Sequence, residues 1–288
     1  MASLREIKDR IGSVRSTLKI TSAMKLVASA KLRKAQKAIE GLRPYEDELN
    51  AILSELSPSS TCRTESGPVS LSACTGKVAV VAIASNSSLC GGFNADVVRA
   101  TLELVKACPC EVEVHSLGRK MAEAMRRAGY ESPADYYDLI AHPTYRKAAD
   151  LAESLVKRCD EGELSAVVLV YTRFISTSRH QVVAEPFAGS LVPAAHVADS
   201  SDEERSIYIV EPGRDEVVAE MGPQVTMLRF YAAILDSAAS EHAARTVAMQ
   251  TASDNAEDLL AELTLEYNKG RQQKITAEIL DLVGGLSQ

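Results

Sequence analysis

The sequence has 288 residues, a net charge of −7 and ordinary hydrophobic and charged fractions, a composition that excludes a wholly disordered chain. The acidic balance argues against general binding to polyanions. The longest apolar run, from Val78 to Ala84, is too short to cross a membrane, and the N-terminus resembles neither a signal peptide nor an organelle presequence. We therefore expect a protein of the cytosol or of the cytosolic side of a membrane.

The six cysteines form no metal-binding or disulfide pattern. Only Cys108 and Cys110 are close together, as a single Cys-Pro-Cys with no second pair and no histidine at ligand spacing. We expect reduced, mostly buried thiols and no metal site.

The first 56 residues carry a heptad pattern. Steps of three and four from Leu4 reach sixteen positions up to Leu56, and thirteen of them are apolar. A 3.5-residue repeat held over this length predicts a coiled-coil helix with a left-handed supercoil. We expect Pro44 to kink this helix and not to end it, because the heptad register continues beyond it.

The middle of the chain alternates strand and helix patterns after a Ser/Thr/Gly/Pro-rich linker at residues 58–76. This alternation predicts a Rossmann-like α/β head at residues 77–211, with some antiparallel strands. An acidic, solvated loop is expected at 198–205. The predicted strands are 78–84, 112–116, 166–174, 181–186 and 207–211, and the predicted helices are 94–107, 119–128 and 145–159.

A second heptad pattern fills residues 212–288. Steps from Val225 reach thirteen positions up to Tyr267, ten of them apolar, and Gly222-Pro223 predicts a bend near the start. Beyond Gly270 the apolar pattern restarts with a shift of one residue. Its positions there are Ile275, Ile279, Leu282 and Leu286.

The charges of the two terminal helices favour their pairing. Residues 1–43 contain eleven Lys/Arg and three Asp/Glu, whereas residues 215–288 contain five Lys/Arg and twelve Asp/Glu. Because both helices leave the same head, we expect one antiparallel coiled coil. The C-terminal helix is longer, so its apolar end should project beyond the N-terminal helix and bind a partner with a hydrophobic socket.

The loop from Ser85 to Asn94 follows a strand and opens a helix, where α/β sheets often bind phosphate. It lacks GxGxxG and the Lys-Ser/Thr of a P-loop, so we favour a tight glycine turn with Asn94 as the helix N-cap. Cys90 as a nucleophile at a helix N-terminus is an alternative, but no general base accompanies it. The sequence offers no catalytic constellation and no cofactor motif.

The basic N-terminal helix has two interpretations. It could bind nucleic acid or an anionic membrane, but it has no interleaved aromatic residue before Tyr45. We favour a basic face that complements the acidic C-terminal helix and an acidic partner surface, and we expect no nucleic-acid binding.

Two terminal segments resemble the signatures of the gamma subunit family of F-type ATP synthases. They are KITSAMKLVASAK at 19–31, and ELTLEYNKGRQQKITAEI at 262–279 with Gly284-Gly285 beyond it. Arg43-Pro44-Tyr45 and Leu89–Asn94 also match, so the resemblance covers essentially the whole chain. The sequence departs from the family at Asn86-Ser87-Ser88, where Asp-Arg-Gly is common, and at Gly270, where Ala or Thr is usual.

The resemblance implies the central-stalk rotor of an F1Fo ATP synthase, which couples proton flow through the membrane c-ring to ATP synthesis in the alpha3-beta3 hexamer. The implied partners are the alpha and beta subunits, the epsilon subunit and the c-ring. A start aligned with the bacterial family start implies the cytoplasmic face of a bacterial inner membrane. The implied chain has no catalytic site, cofactor or metal of its own.

The resemblance also implies contact residues for these partners. Arg271 and Gln272 match a polar pair that contacts the beta subunit, and Met24 lies on the neighbouring strand of the coil. Tyr208 and Glu211 belong to the segment that faces epsilon and the c-ring, and the residues of the hydrophobic bearing are Ile279, Leu282 and Leu286. Two simpler roles stay open, solvated side chains for Arg271 and Gln272 and an ordinary strand position for Tyr208.

Overall fold

The computed structural model describes residues 3–56, 76–190, 210–211 and 213–285. The predicted linker except Gly76, the predicted acidic loop, Tyr208 and Leu286 lie outside these residues. Residues 1–29 with 245–288 form one compact unit, and residues 30–244 form a second. Since the division between the units cuts both long helices, the units differ from the four segments that the sequence predicts.

Six helices and four strands make up the described residues. The helices are α1 (Leu4–Leu56), α2 (Phe93–Ala107), α3 (Arg119–Arg127), α4 (Tyr137–Ala141), α5 (Tyr145–Asp160) and α6 (Arg214–Gly285). The strands are β1 (Val78–Ile83), β2 (Val112–Leu117), β3 (Ala166–Phe174) and β4 (His180–Gly189). Helix α1 continues through Pro44 as expected, and α6 continues through Pro223. The short helix α4 was not predicted, and Val210 and Glu211 belong to no described strand.

The four strands form one sheet in the order β2-β1-β3-β4, in which β4 alone is antiparallel to its neighbour. Strand β1 is a continuous apolar run whose six residues are all buried, which is typical of a parallel strand covered on both faces. Helices α2 and α3 pack on one face through Val97, Met121 and Met125. Helices α4, α5 and α6 cover the other face through Leu139, Leu155 and Phe230, among others.

Helices α1 and α6 also pack against each other within residues 30–244. Leu32 and Ile39 of α1 share an apolar cluster with Leu235, Ala239 and Ala243 of α6. Because the α6 side chains Ala239 and Ala243 are small, the two helices can approach closely, and the cluster is buried.

In the unit of residues 1–29 and 245–288 the two helices run antiparallel. The Thr21 and Ser253 hydroxyls are 2.8 Å apart, and a methyl group added to Gly270 would lie 3.1 Å from Leu4 Cδ2. These two contacts are 17 residues apart on each helix, in opposite directions along the chain. The helices therefore keep one register over this distance.

The burial of the two long helices confirms the heptad patterns. All sixteen positions stepped from Leu4 and all thirteen stepped from Val225 are buried or half-buried. The predicted fold class, an α/β sheet together with an antiparallel coiled coil of the terminal helices, is confirmed.

Candidate subunit-contact surfaces

A stripe of apolar side chains lies on the outside of α1. Ile20 and Val27 are 60% and 58% exposed, and Met24 between them is half-buried. Spacings of four and three residues place all three on one face of the helix, next to the face that packs on α6. Leu26, which is 70% exposed, adds a further apolar side chain. A set of large exposed apolar groups on a basic helix is typical of a protein-binding surface.

A second surface lies on α6 beyond its contact with Leu4. Leu4 is the first residue of α1, and its side chain lies against Gly270. Every residue from Arg271 to Leu280 is exposed, including Ile275 and Ile279. Gln272 lies beside Leu280 along one open groove of this helix. This segment combines polar and apolar groups that can bind a partner.

A capping box fixes the start of α1. The backbone N–H of Ser3 donates to Glu6 Oε2 at 2.9 Å, and the N–H of Glu6 donates to Ser3 Oγ at 3.2 Å. The spacing Ser-x-x-Glu before an apolar run is the sequence signal of this motif, which was not among the predictions.

Asn94 does not cap α2, which corrects the prediction. The N-cap is Gly92, which makes no side-chain cap hydrogen bond. Asn94 lies in the first turn, where its Oδ1 accepts the N–H of Ser85 at 3.1 Å and its Nδ2 donates to the carbonyl of Ser87 at 3.3 Å and to Cys90 Sγ at 3.1 Å. Its amide therefore holds the preceding loop together.

Asn86, in the same loop, forms hydrogen bonds to two neighbouring helices. Asn86 Oδ1 accepts the N–H of Arg119 at 3.0 Å, and Asn86 Nδ2 donates to the carbonyl of Tyr137 at 2.8 Å. A residue that departs from the family pattern thus joins the loop to α3 and α4. Cys90 is 1% exposed, so a substrate could not reach its thiol.

Helix α6 fills the crevice beside this loop. Ser240 Oγ donates to the carbonyl of Thr172, near the end of β3, at 3.2 Å, and Ala244 packs with Cys90 and Phe93. In open α/β sheets ligands bind outside the carboxyl ends of the strands, where the strand order reverses. Here that position is occupied by the chain's own helix.

Buried charges join α1 and α6 to the sheet. Arg43 donates to Asp236 Oδ1 at 3.2 Å and to the carbonyl of Phe174 at 3.3 Å. Burial raises the pKa of Asp236 to about 6, although the nearby Arg43 partly opposes this shift. Glu185 is 5% exposed and is neutralised by Arg173 and by Arg229 at 3.5 Å.

A second polar network lies beside β2. Glu113 accepts two hydrogen bonds from Arg158, at 2.8 and 2.9 Å, and pairs with Lys77 at 3.0 Å. The bonds from Arg158 lower the pKa of the Glu113 carboxyl to about 2. His115 lies 2.8 Å from the same carboxylate, and burial lowers its pKa. These bonds tie β2 to the end of α5.

The implied contact residues are spread along the chain. Arg271, Gln272 and Ile279 are exposed on α6, Met24 is half-buried on α1, and Glu211 is exposed. From the antiparallel register, Met24 and Arg271 lie about 30 Å apart along the coil, so the structure does not bring them together. Leu282 belongs to α6, but its side chain is outside the description, as are Tyr208 and Leu286.

Within the described residues, no group of three or more His, Cys, Asp or Glu side chains is arranged to hold a metal ion. In the same part of the chain, no helix has a stretch that is both long and apolar enough to span a bilayer.

Comparison with known proteins identifies the family. A family model described as ATP synthase matches residues 3–287. The ATP synthase gamma chain of Phocaeicola vulgatus is 45% identical, with 99% of each chain covered. That of Pelotomaculum thermopropionicum is 35% identical, with 99% of this chain and 98% of the relative covered.

Solved structures show the same fold at low sequence identity. The rotor of the Euglena gracilis mitochondrial ATP synthase in rotational state 1 has a TM-score of 0.65 at 18% identity, covering 94% of this chain and 98% of that chain. The central stalk and c-ring structure from Tetrahymena thermophila contains a chain with a TM-score of 0.59 at 22% identity, covering 81% and 99%.

In this chain an α/β sheet domain is inserted between two long helices that form a coiled coil. This arrangement defines a class of proteins. Within that class, this chain belongs to the ATP synthase gamma chain family.

Proposed function

We propose that this chain is the central-stalk rotor of a bacterial F1Fo ATP synthase. It couples proton flow through the membrane c-ring to ATP synthesis in the alpha3-beta3 hexamer. The observation that carries this proposal is the exposed segment from Arg271 to Leu280, which extends beyond the contact of Gly270 with Leu4, the first residue of α1. An exposed helix with apolar side chains at Ile275, Ile279 and Leu280 needs a partner to cover it.

Rotation performs work through unequal contacts. As the coiled coil turns inside the hexamer, its exposed residues touch each beta subunit differently and favour a different conformation of each one. Moving a two-state subunit from 1:99 to 99:1 requires about 5.5 kcal/mol of differential contact energy. Arg271 and Gln272 would supply polar contacts to beta, Met24 would contact it from the apolar stripe on α1, and the apolar end at Ile279, Leu282 and Leu286 would turn in a hydrophobic bearing.

The partners of the chain in this proposal are the alpha and beta subunits, epsilon and the c-ring, with Tyr208 and Glu211 towards the latter two. The complex places the chain at the cytoplasmic face of the inner membrane. The segments 1–57, 58–76, 77–211 and 212–288 are its N-terminal helix, linker, head and C-terminal helix.

The chain needs no catalytic site or cofactor for this role. Two observations support this view, the internal hydrogen bonds of the loop from Ser85 to Asn94 and the filling of the adjacent crevice by α6. An α/β enzyme would instead require an open ligand site at that position.

Assembly with purified alpha and beta subunits tests the proposal. We expect the full-length chain to co-purify with the hexamer and to confer rotation driven by ATP hydrolysis, while the isolated chain has no ATPase activity. A chain that failed to enter the hexamer would disprove the rotor function. Salt-sensitive DNA binding by the chain in the absence of assembly would favour the nucleic-acid alternative instead.

A further inference from the structure

A buried pair of hydroxyl groups joins the two helices of the coiled coil. Thr21 and Ser253 are 8% and 6% exposed, and both occupy heptad positions that are otherwise mostly apolar. Thr21 Oγ1 donates to the carbonyl of Leu18 at 3.1 Å, which leaves the Ser253 hydroxyl to donate to Thr21 Oγ1 at 2.8 Å. Each hydroxyl therefore has a partner although the surroundings exclude water.

An apolar heptad seam alone does not fix the register. If α1 slid along α6 by seven residues, most apolar positions would again face apolar positions. Their mutual hydrogen bond would be lost, because Thr21 would face Leu260 and Ser253 would face Ala28, or Thr21 would face Thr246 and Ser253 would face Val14. Thr21 would keep its bond to Leu18 in its own helix, but Ser253 would have no hydroxyl opposite it in either arrangement. An unsatisfied buried hydroxyl lowers the population of such a state by a factor of roughly 5 to 150.

A second contact agrees with this register. Gly270 provides the space for the side chain of Leu4, since an added methyl group would lie 3.1 Å from Leu4 Cδ2. In the two slipped arrangements Leu4 would face Leu263 or Ala277 and not the glycine. The hydroxyl pair and the Leu4 contact specify the same alignment from different chemistry.

We propose that Thr21 and Ser253 act as positioning residues that hold α1 and α6 in one axial register. A slip of one heptad would displace Arg271 and Gln272 by about 10 Å relative to the apolar stripe on α1. The register is a property of this chain alone, whereas its importance for rotation rests on the proposed function.

Photo-crosslinking of the full-length chain tests the register. A p-benzoylphenylalanine placed at exposed Lys8 lies level with Glu266, because it is four residues after Leu4 and Glu266 is four before Gly270. In the unaltered chain we expect crosslinks confined to the turn around Glu266. In the double variant Thr21→Val with Ser253→Ala we expect additional crosslinks seven residues away, around Leu259 and Gln273, as mapped by mass spectrometry.

Two further variants control the experiment. The exchange Thr21→Ser with Ser253→Thr keeps both hydroxyls and should restore the single crosslinked turn. The pair Thr17→Val with Thr251→Val likewise removes two hydroxyls, here exposed ones that bond to their own helix at 3.1 and 3.2 Å, and should leave the crosslinks unchanged. Circular dichroism verifies that each variant retains its helices.

The outcomes separate the register from the function. Crosslinks confined to the Glu266 turn in the helical Thr21→Val/Ser253→Ala variant would overturn the proposal. Additional crosslinks at the slipped positions would support it, whatever the complex does. Assembly and rotation with alpha and beta subunits are measured separately, and failure of the unaltered chain there would count only against the rotor function.

Discussion

At the residue scale, two carboxyl groups in the unit of residues 30–244, here called the sheet unit, have pKa values shifted in opposite directions. Glu113 and Asp236 are both largely buried carboxyls that contact an arginine. Glu113 receives two hydrogen bonds from Arg158 and a third partner in Lys77, so its ionised form is stabilised. Asp236 has the single, half-exposed Arg43, which does not offset the cost of burial. The two residues therefore respond to pH in opposite directions.

The Glu113 network should protect the fold against acid. Its folded pKa of about 2 lies below the ordinary value of 4.5, so its contribution is fully present above pH 4.5 and is lost as the pH falls towards 2. We expect Glu113→Gln to lower the free energy of unfolding by about 1–3 kcal/mol at pH 7, and by much less at pH 2.5. Urea unfolding across this pH range measures the difference.

Glu161→Gln is the control for this measurement, because Glu161 makes only an exposed pair with Lys157 at 3.8 Å. Its effect should stay within about 0.5 kcal/mol. Equal losses in the two variants would show that the Arg158 bonds do not stabilise the fold.

Asp236 should make the protein more stable at lower pH. Its folded pKa of about 6 lies above the ordinary 3.8, so its favourable contribution is complete below pH 3.8 and is lost as the pH rises through 6. We expect Asp236→Asn to be about 1–3 kcal/mol more stable than the unaltered chain at pH 8, with the gain vanishing near pH 4. Exposed Asp258→Asn serves as the control in the same titration. A variant that was less stable at pH 8 would show that the Arg43 pair outweighs the burial cost.

At the scale of elements, the long helices and the central strands were predictable because their patterns repeat. Each apolar heptad position supports the same prediction of a coiled-coil helix, and the all-apolar sequence of β1 indicates a strand covered on both faces. Helix α4 has five residues, which is too short for a periodic signal. Asn94 was assigned as an N-cap because asparagine favours that position, but here its amide makes several tertiary bonds to the preceding loop. Local preference cannot anticipate such bonds.

The junction of β2 and α3 depends on a glycine. Gly118 has a φ of +107°, and a Cβ at this position would lie 2.2 Å from the carbonyl oxygen of Ala84. We expect Gly118→Ala to destabilise the protein by about 3 kcal/mol or more, because backbone strain and a steric clash add together. Thermal unfolding measures this loss.

Gly129 offers a matched comparison, since its φ is +92° but no atom lies within 4 Å of an added Cβ. Gly129→Ala should cost only about 1–2 kcal/mol, from backbone strain alone. Similar losses at the two glycines would mean that the close approach to Ala84 is relieved by a small movement.

At the scale of the whole molecule, family membership was predictable because the two terminal signatures are long and specific. The order of the strands and the position of α6 against the loop were not, since both depend on contacts between distant parts of the chain. The contact residues came from the resemblance alone. Three of them, Arg271, Gln272 and Ile279, are exposed on α6, as that role requires.

Removal of the C-terminal end tests the contribution of the projecting segment. We expect truncation after Thr276 to leave the unfolding of the sheet unit unchanged, because residues 277–280 are exposed and contribute little to its core. Assembly with alpha and beta subunits, or the torque of the assembled complex, should fall several-fold as apolar contacts with the bearing are lost. Substitution of Lys157 and Glu161 by alanine, which removes an exposed pair at 3.8 Å far along the chain from this segment, should have little effect. Normal torque from the truncated chain would exclude the bearing contact.

The contact between Leu4 and Gly270 also has a mechanical consequence. On one side of it two packed helices share any twisting load, and on the other side α6 extends beyond Leu4, the first residue of α1. A single helix has a smaller cross-section than a pair and twists further under the same torque. Elastic twisting would therefore concentrate in the last turns of α6, and the paired part of the coiled coil would twist less under the same torque. The position of one small residue thus sets where elastic energy is stored.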